Sequence, residues 1–102
     1  MVKLVTDLLP ILKEVAILIA DAGYRLEENQ YVLGFRNIEN FKTPVCLYLI
    51  DDKDYSGRCI YAEGCSDLEA EHKIIEHFFQ KGIYVEIDRK EERKFRFFEI
   101  IN

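Results

Sequence analysis

Carboxylates crowd one stretch of this chain. Asp51, Asp52 and Asp54 fall within four residues, and Glu63 follows twelve positions after the first of them. Hard oxygen ligands at that density suit Mg²⁺, so a metal-dependent hydrolase using the Asp51 loop, with Asp51, Asp52 and Glu63 as ligands, is one chemistry to weigh. A metal-dependent nuclease would set an acid near the end of one strand and Glu-x-Lys on the next. Here Glu63 runs into Gly64-Cys65, and Glu71-His72-Lys73, which does spell Glu-x-Lys, falls in a predicted helix. The pattern fails at its second half.

The softer ligand types fare no better. Cys59, Cys65 and His72 lack the close Cys-x₂₋₄-Cys spacing of a structural zinc site. His72 and His77 are five apart and so do not share a helix face as ligands at i, i+4 would. A Cys65–His72 nucleophilic pair has nothing to orient the base or to supply an oxyanion hole. Gly34, Gly57 and Gly64 are too scattered to cradle a phosphate. No catalytic residue, no cofactor and no resident metal is assigned.

Charge is the more informative feature. Residues 51–76 hold eight acidic and three basic residues, a net of −5, against −1 for residues 1–50 and +1 for residues 77–102. The acidic stretch has two readings: a solvated helix face with a hydrophilic turn, or a surface for a basic partner that speeds encounter and weakens with salt. The second reading assigns partner binding to Asp51, Asp52, Asp54, Asp67, Glu69, Glu71 and Glu76, with Tyr55 and Tyr61 beside them. The basic group Arg89, Lys90, Arg93, Lys94 and Arg96 is interleaved with Glu91 and Glu92 in a chain of pI near 5.0, and is expected to be a charged hairpin tip. Domains that hold phosphate backbones are usually basic overall, so direct nucleic-acid binding is not expected.

The elements that must position these groups follow from periodicity. Leu4, Val5, Leu8, Ile11, Leu12, Val15, Leu18, Ile19 and Ala22 recur at helical spacing. Thr6 or Asp7 is the expected cap, Pro10 falls in or near the first turn, and Gly23 is the expected C′ residue. Leu9, Ala16, Ile17 and Ala20 make the opposite face apolar too, which predicts a second cover and places a homodimer interface there. Tyr24–Glu28 and Tyr31–Ile38 read as a hairpin about Asn29-Gln30, and Glu39–Pro44 as loop. Val45–Ile50 reads as a central strand and Arg58–Glu63 as its return. Ser66-Asp67-Leu68-Glu69 is a capping box for a second helix burying Leu68, Ile74, Ile75, Phe78 and Phe79. Ile83, Val85 and Ile87 alternate with polar neighbours as a strand. In the last strand Phe98 and Ile100 break phase with Phe95 and Phe97, which predicts a bulge.

These elements make one α+β domain over residues 1–102, with two helices on a mainly antiparallel sheet of five to six strands in the order α-β-β-β-β-α-β-β. The run Leu8–Ala20 is too short and too broken to span a membrane. Three cysteines, an odd number without a secretion signal, indicate a cytoplasmic protein. The expected function is that of a small acidic, non-enzymatic protein-interaction module that binds a protein partner with a basic surface stoichiometrically. Six tyrosines and seven phenylalanines favour it weakly. The alternative is an inhibitor of phage or mobile-element type that blocks a host nucleic-acid enzyme as an acidic DNA mimic.

Overall fold

The computed structural model describes residues 1–33, 44–52, 57–65, 68–90 and 93–101. Over these residues the chain runs β1 (Val2–Leu4), α1 (Leu9–Asp21), β2 (Arg25–Leu26), β3 (Pro44–Asp52), β4 (Gly57–Glu63), α2 (Leu68–Phe79), β5 (Ile83–Asp88) and β6 (Arg93–Ile100). The α+β class holds. Both helices pack on one face of a six-stranded sheet that is antiparallel except between β2 and β3.

β6 is the strand around which the rest is arranged. One of its edges carries β5 in unbroken register from Ile83↔Glu99 to Asp88↔Lys94. The other edge is shared end to end by β4, opposite Arg93–Phe95, and β1, opposite Phe98–Ile100. β1 corrects the expected start of the first helix. Leu4 opposes Phe98, and the Val5 amide donates to the Phe97 carbonyl (2.8 Å), so these two residues serve the sheet. α1 then opens at Leu8 with no side-chain cap from Thr6 or Asp7, although Pro10 does occupy its first turn. A proline there removes an amide that had no helical partner anyway. At the other end Gly23 takes φ 97°, and its amide bonds the Ala20 carbonyl as the C′ position requires.

The expected hairpin after α1 does not form over the described residues. β2 runs parallel to β3 (Leu26↔Val45), and residues 29–33 are a turn organised by Asn29. The Asn29 Oδ1 accepts from the Tyr31 and Val32 amides (2.8 and 3.2 Å), while its Nδ2 donates to the Leu47 carbonyl (2.7 Å). One side chain thus closes its own turn and carries the cover of the outer β3 edge from β2 on to Leu47. Residues 34–38 of the expected second strand lie outside the described residues.

β3 and β4 form the long hairpin that was expected, Cys46↔Glu63 to Asp52↔Gly57. β4 hands over to α2 through Gly64, at φ 96°, where a Cβ would lie 2.4 Å from the Pro44 carbonyl oxygen. Only glycine fits that crossing. Ser66 and Asp67, and with them the capping box, lie outside the described residues.

Strand alternation puts Val45, Leu47, Ile60, Ala62, Val85, Phe95 and Phe97 on the helix side, where they join the α1 and α2 residues in one buried cluster. Phe78 and Phe97 meet edge to face with centroids 5.0 Å apart. No bulge interrupts β6. Phe98 simply occupies the outer face, with Tyr84 beside it (6.3 Å) and the Arg96 guanidinium 5.3 Å from its ring centre. The phase break in the sequence is a change of environment on an unbroken strand. No helix among the described residues is long and apolar enough to cross a membrane.

Candidate interaction surface

α2 buries Ala70, Glu71, Ile74 and Phe78. That stripe is rotated from the expected one and corrects it: Leu68, Ile75 and Phe79 are 61%, 36% and 64% exposed. Positions 68, 75 and 79 are seven and four residues apart, so the three side chains line one outward flank roughly 16 Å long. Glu69 and Glu76 are exposed beside them, and His72 lies within the flank. The result is an apolar strip with an acidic border on an otherwise ordinary surface helix. Large apolar groups exposed in a row, rather than singly, mark contact surfaces.

Glu71 leaves the expected acidic surface altogether. It is fully buried, and both carboxylate oxygens are occupied. The Arg89 Nε donates to Oε1 (2.8 Å), and the Arg93 Nε lies 2.5 Å from Oε2. These arginines come from the turn expected to be a solvated tip, and Arg93 is only 14% exposed. Arg96 likewise pairs with Glu86 across the outer sheet face. The three arginines of the basic cluster are therefore engaged in internal ion pairs, and the two to Glu71 tie α2 to the β5–β6 turn.

The other expected contacts separate. Asp51 sits near the tip of the β3–β4 hairpin, 3.3 Å from the Arg58 Nε. Tyr61 stacks on Tyr48 on the outer sheet face, centroids 5.8 Å apart, away from both helices. That face also carries Tyr84, so the three tyrosines share it, but it is not the surface of α2. Asp54, Tyr55 and Asp67 lie outside the described residues, as does the side chain of Asp52. The proposed homodimer face on α1 is also split: Leu9 and Ile17 are exposed, Ala20 is half-buried, and Ala16 is wholly buried against the core and unable to meet a partner.

The metal grouping does not assemble. Asp51 opposes Arg58, whereas Glu63 opposes Cys46, five residues back along β3. At about 3.3 Å per residue the two acids are roughly 16 Å apart. Cys59 and Cys65 are buried while His72 is exposed, and no cluster of metal-binding side chains occurs among the described residues. A pocket of about 150 Å³ lies between Leu8, Tyr31, Leu49 and the Asp51–Arg58 pair, with the ion pair as its polar wall. On the outer face the Tyr48 phenol is pushed up to about 12, first by its hydrogen bond to Cys46 and then by the charge there.

The fold thus defines a two-layer α+β domain whose most distinctive surface is an apolar helix flank with an acidic border. Comparison with protein-family models, with curated proteins and with solved structures finds no match for this chain.

Proposed function

We propose that this chain is a non-enzymatic protein-interaction module that acts by stoichiometric binding through the outward flank of α2. The observation that carries the reading is the row Leu68, Ile75 and Phe79, exposed in a helix whose inner face is already filled by Ala70, Ile74 and Phe78. The row is surplus to the fold, and burying it against a partner removes it from water at about 25 cal/mol per Å². Glu69 and Glu76 give the rim its sign, which favours a partner with basic residues around an apolar centre.

The test compares immobilised wild type with Ile75→Glu/Phe79→Glu in capture from lysate, with duplex DNA added to a parallel column. Both residues are exposed, so the variant is expected to fold as the wild type does, with an unchanged circular dichroism spectrum and a single cooperative unfolding transition. The expected outcome is a partner held at a fixed ratio by the wild type, released by rising salt, and bound at least about tenfold more weakly by the variant. Displacement by DNA would assign that partner to the nucleic-acid enzymes. Equal capture by the folded variant would sink the reading.

A further inference from the structure

The two ends of the sheet are finished differently. At one end β2, the Glu27 amide (2.9 Å to the Val45 carbonyl) and Asn29 cover the first part of β3, as far as Leu47. At the other end β5 is six residues long, unbroken by proline or bulge, and among the described residues it pairs only with β6. Long regular edges are ordinarily blunted or covered, because they template pairing with another chain.

The register on β6 decides which groups of β5 face outward. The Ile100 amide donates to the Gly82 carbonyl (2.9 Å). Alternation along an antiparallel ladder then turns the backbone groups of Tyr84, Glu86 and Asp88 toward β6 and those of Ile83, Val85 and Ile87 toward the open edge.

The apolar flank of α2 points the same way. His77 and Lys81 both reach Glu14 on α1, which fixes the side of α2 that faces α1. Leu68, Ile75 and Phe79 lie nearly half a turn round from His77, with the sheet-facing residues Ile74 and Phe78 between. The exposed flank therefore overhangs the β5 side of the sheet. Among the described residues, an unpaired strand edge and an uncovered apolar row therefore occupy one side of the sheet.

We infer that the occupant of this side is a second copy of the chain, which adds its β5 antiparallel to the first across a two-fold axis at Val85. The inference rests on the reading of the α2 flank as a contact surface and goes beyond it: without a basic partner, the flank is covered by a second copy. The argument for a second copy is self-complementarity. Opposed residues of a ladder share a face, so a two-fold axis must pass through a residue, and the middle of β5 offers Val85 or Glu86. At Val85, Ile83 opposes the partner's Ile87 on the helix side, Tyr84 opposes the partner's Glu86 on the outer side, and the outward backbone groups of Ile83, Val85 and Ile87 are all bonded. At Glu86, two like charges would meet directly and Tyr84 would oppose the partner's Asp88, an arrangement that is destabilising. The Val85 axis also brings the two α2 flanks together, with Leu68, Ile75 and Phe79 in the seam and Glu69 and Glu76 at its rim. Because each chain carries a net charge of −5, salt strengthens this association, opposite to its effect on a basic partner.

The register makes the test specific. Tyr84 and the partner's Glu86 form a non-hydrogen-bonded pair, whose Cα separation of about 4.5 Å suits a disulfide. In a Cys46→Ser background, Tyr84→Cys and Glu86→Cys are expected to remain uncrosslinked when oxidised alone and to give a covalent dimer when mixed. Absence of that product in the mixture, or crosslinking of Glu86→Cys with itself, would overturn the proposal. A wild type that sediments as a 12.1 kDa monomer at high micromolar concentration would overturn it as well. The two readings fail separately. If the wild type is monomeric but Ile75→Glu/Phe79→Glu still abolishes capture of a different protein, the second copy is wrong and the surface stands.

Discussion

Glu71 is the residue whose role differs most from its appearance in the sequence. Counted with the acidic stretch it belongs to the surface, yet it sits three residues before Ile74 and seven before Phe78, on the stripe that α2 buries. Its two arginines are four apart, at 89 and 93, and that spacing was the available signal. Removing the carboxylate breaks both of the ion pairs made by the buried Glu71, so Glu71→Ala should cost about 3 kcal/mol in urea unfolding, as loss of one member of a buried pair does. Gly64→Ala should cost a comparable amount, about 1–3 kcal/mol, because both its φ and the 2.4 Å approach to Pro44 must be relieved. Glu14 gives a prediction in pH. Its carboxyl is held below 4.5, first by the Lys81 hydrogen bond, which outweighs the opposing effect of burial, and further by His77. A depressed folded value stabilises the protein above the unfolded value and loses that contribution as pH falls through the folded one. The stability gap between wild type and Glu14→Gln should therefore be steady above about pH 5.5 and close as the solution is acidified below 4.5.

At the scale of elements, much was legible because the local signals agreed. The β3–β4 hairpin, both helices and the alternation in β5 follow from period and turn chemistry, and the α+β class follows from them. Three features were not legible, each for a physical reason. β1 is three residues long and is decided by a partner strand ninety-four residues away, which no local pattern encodes. The turn at Asn29 imitates a hairpin because an Asx turn uses the same residue types. In α2, Leu68–Ile75–Phe79 and Glu71–Ile74–Phe78 are both acceptable helical stripes, and the tie is broken by the arginines that draw Glu71 inward. α1 offers the matching test. Ala16 is enclosed, so Ala16→Leu should overpack the core at about 1–3 kcal/mol, while Ile17→Glu on the exposed side should change the unfolding midpoint little.

For the whole molecule, the candidate site was legible only as a region. The acidic count drew attention to residues 51–76, but folding disperses them: Asp51 to a hairpin tip, Tyr61 to the outer sheet face, Glu71 to the interior. What remains together is a helix flank beside a strand edge that is open among the described residues, a coincidence of two elements that depends on how α2 is rotated over β5. The sequence placed self-association on α1, where Leu9 and Ile17 are 45% and 52% exposed but Ala16 is enclosed. We place it on the α2 side instead, where three exposed residues stand in line beside β5 backbone groups that have no partner among the described residues.

The mass in solution of two double variants, measured side by side by light scattering, separates these faces most directly. Ile75→Glu/Phe79→Glu is predicted to run at 12.1 kDa while Leu9→Glu/Ile17→Glu keeps the dimeric mass of the wild type. Dissociation of the α1 variant, with the α2 variant still associated, would contradict the account.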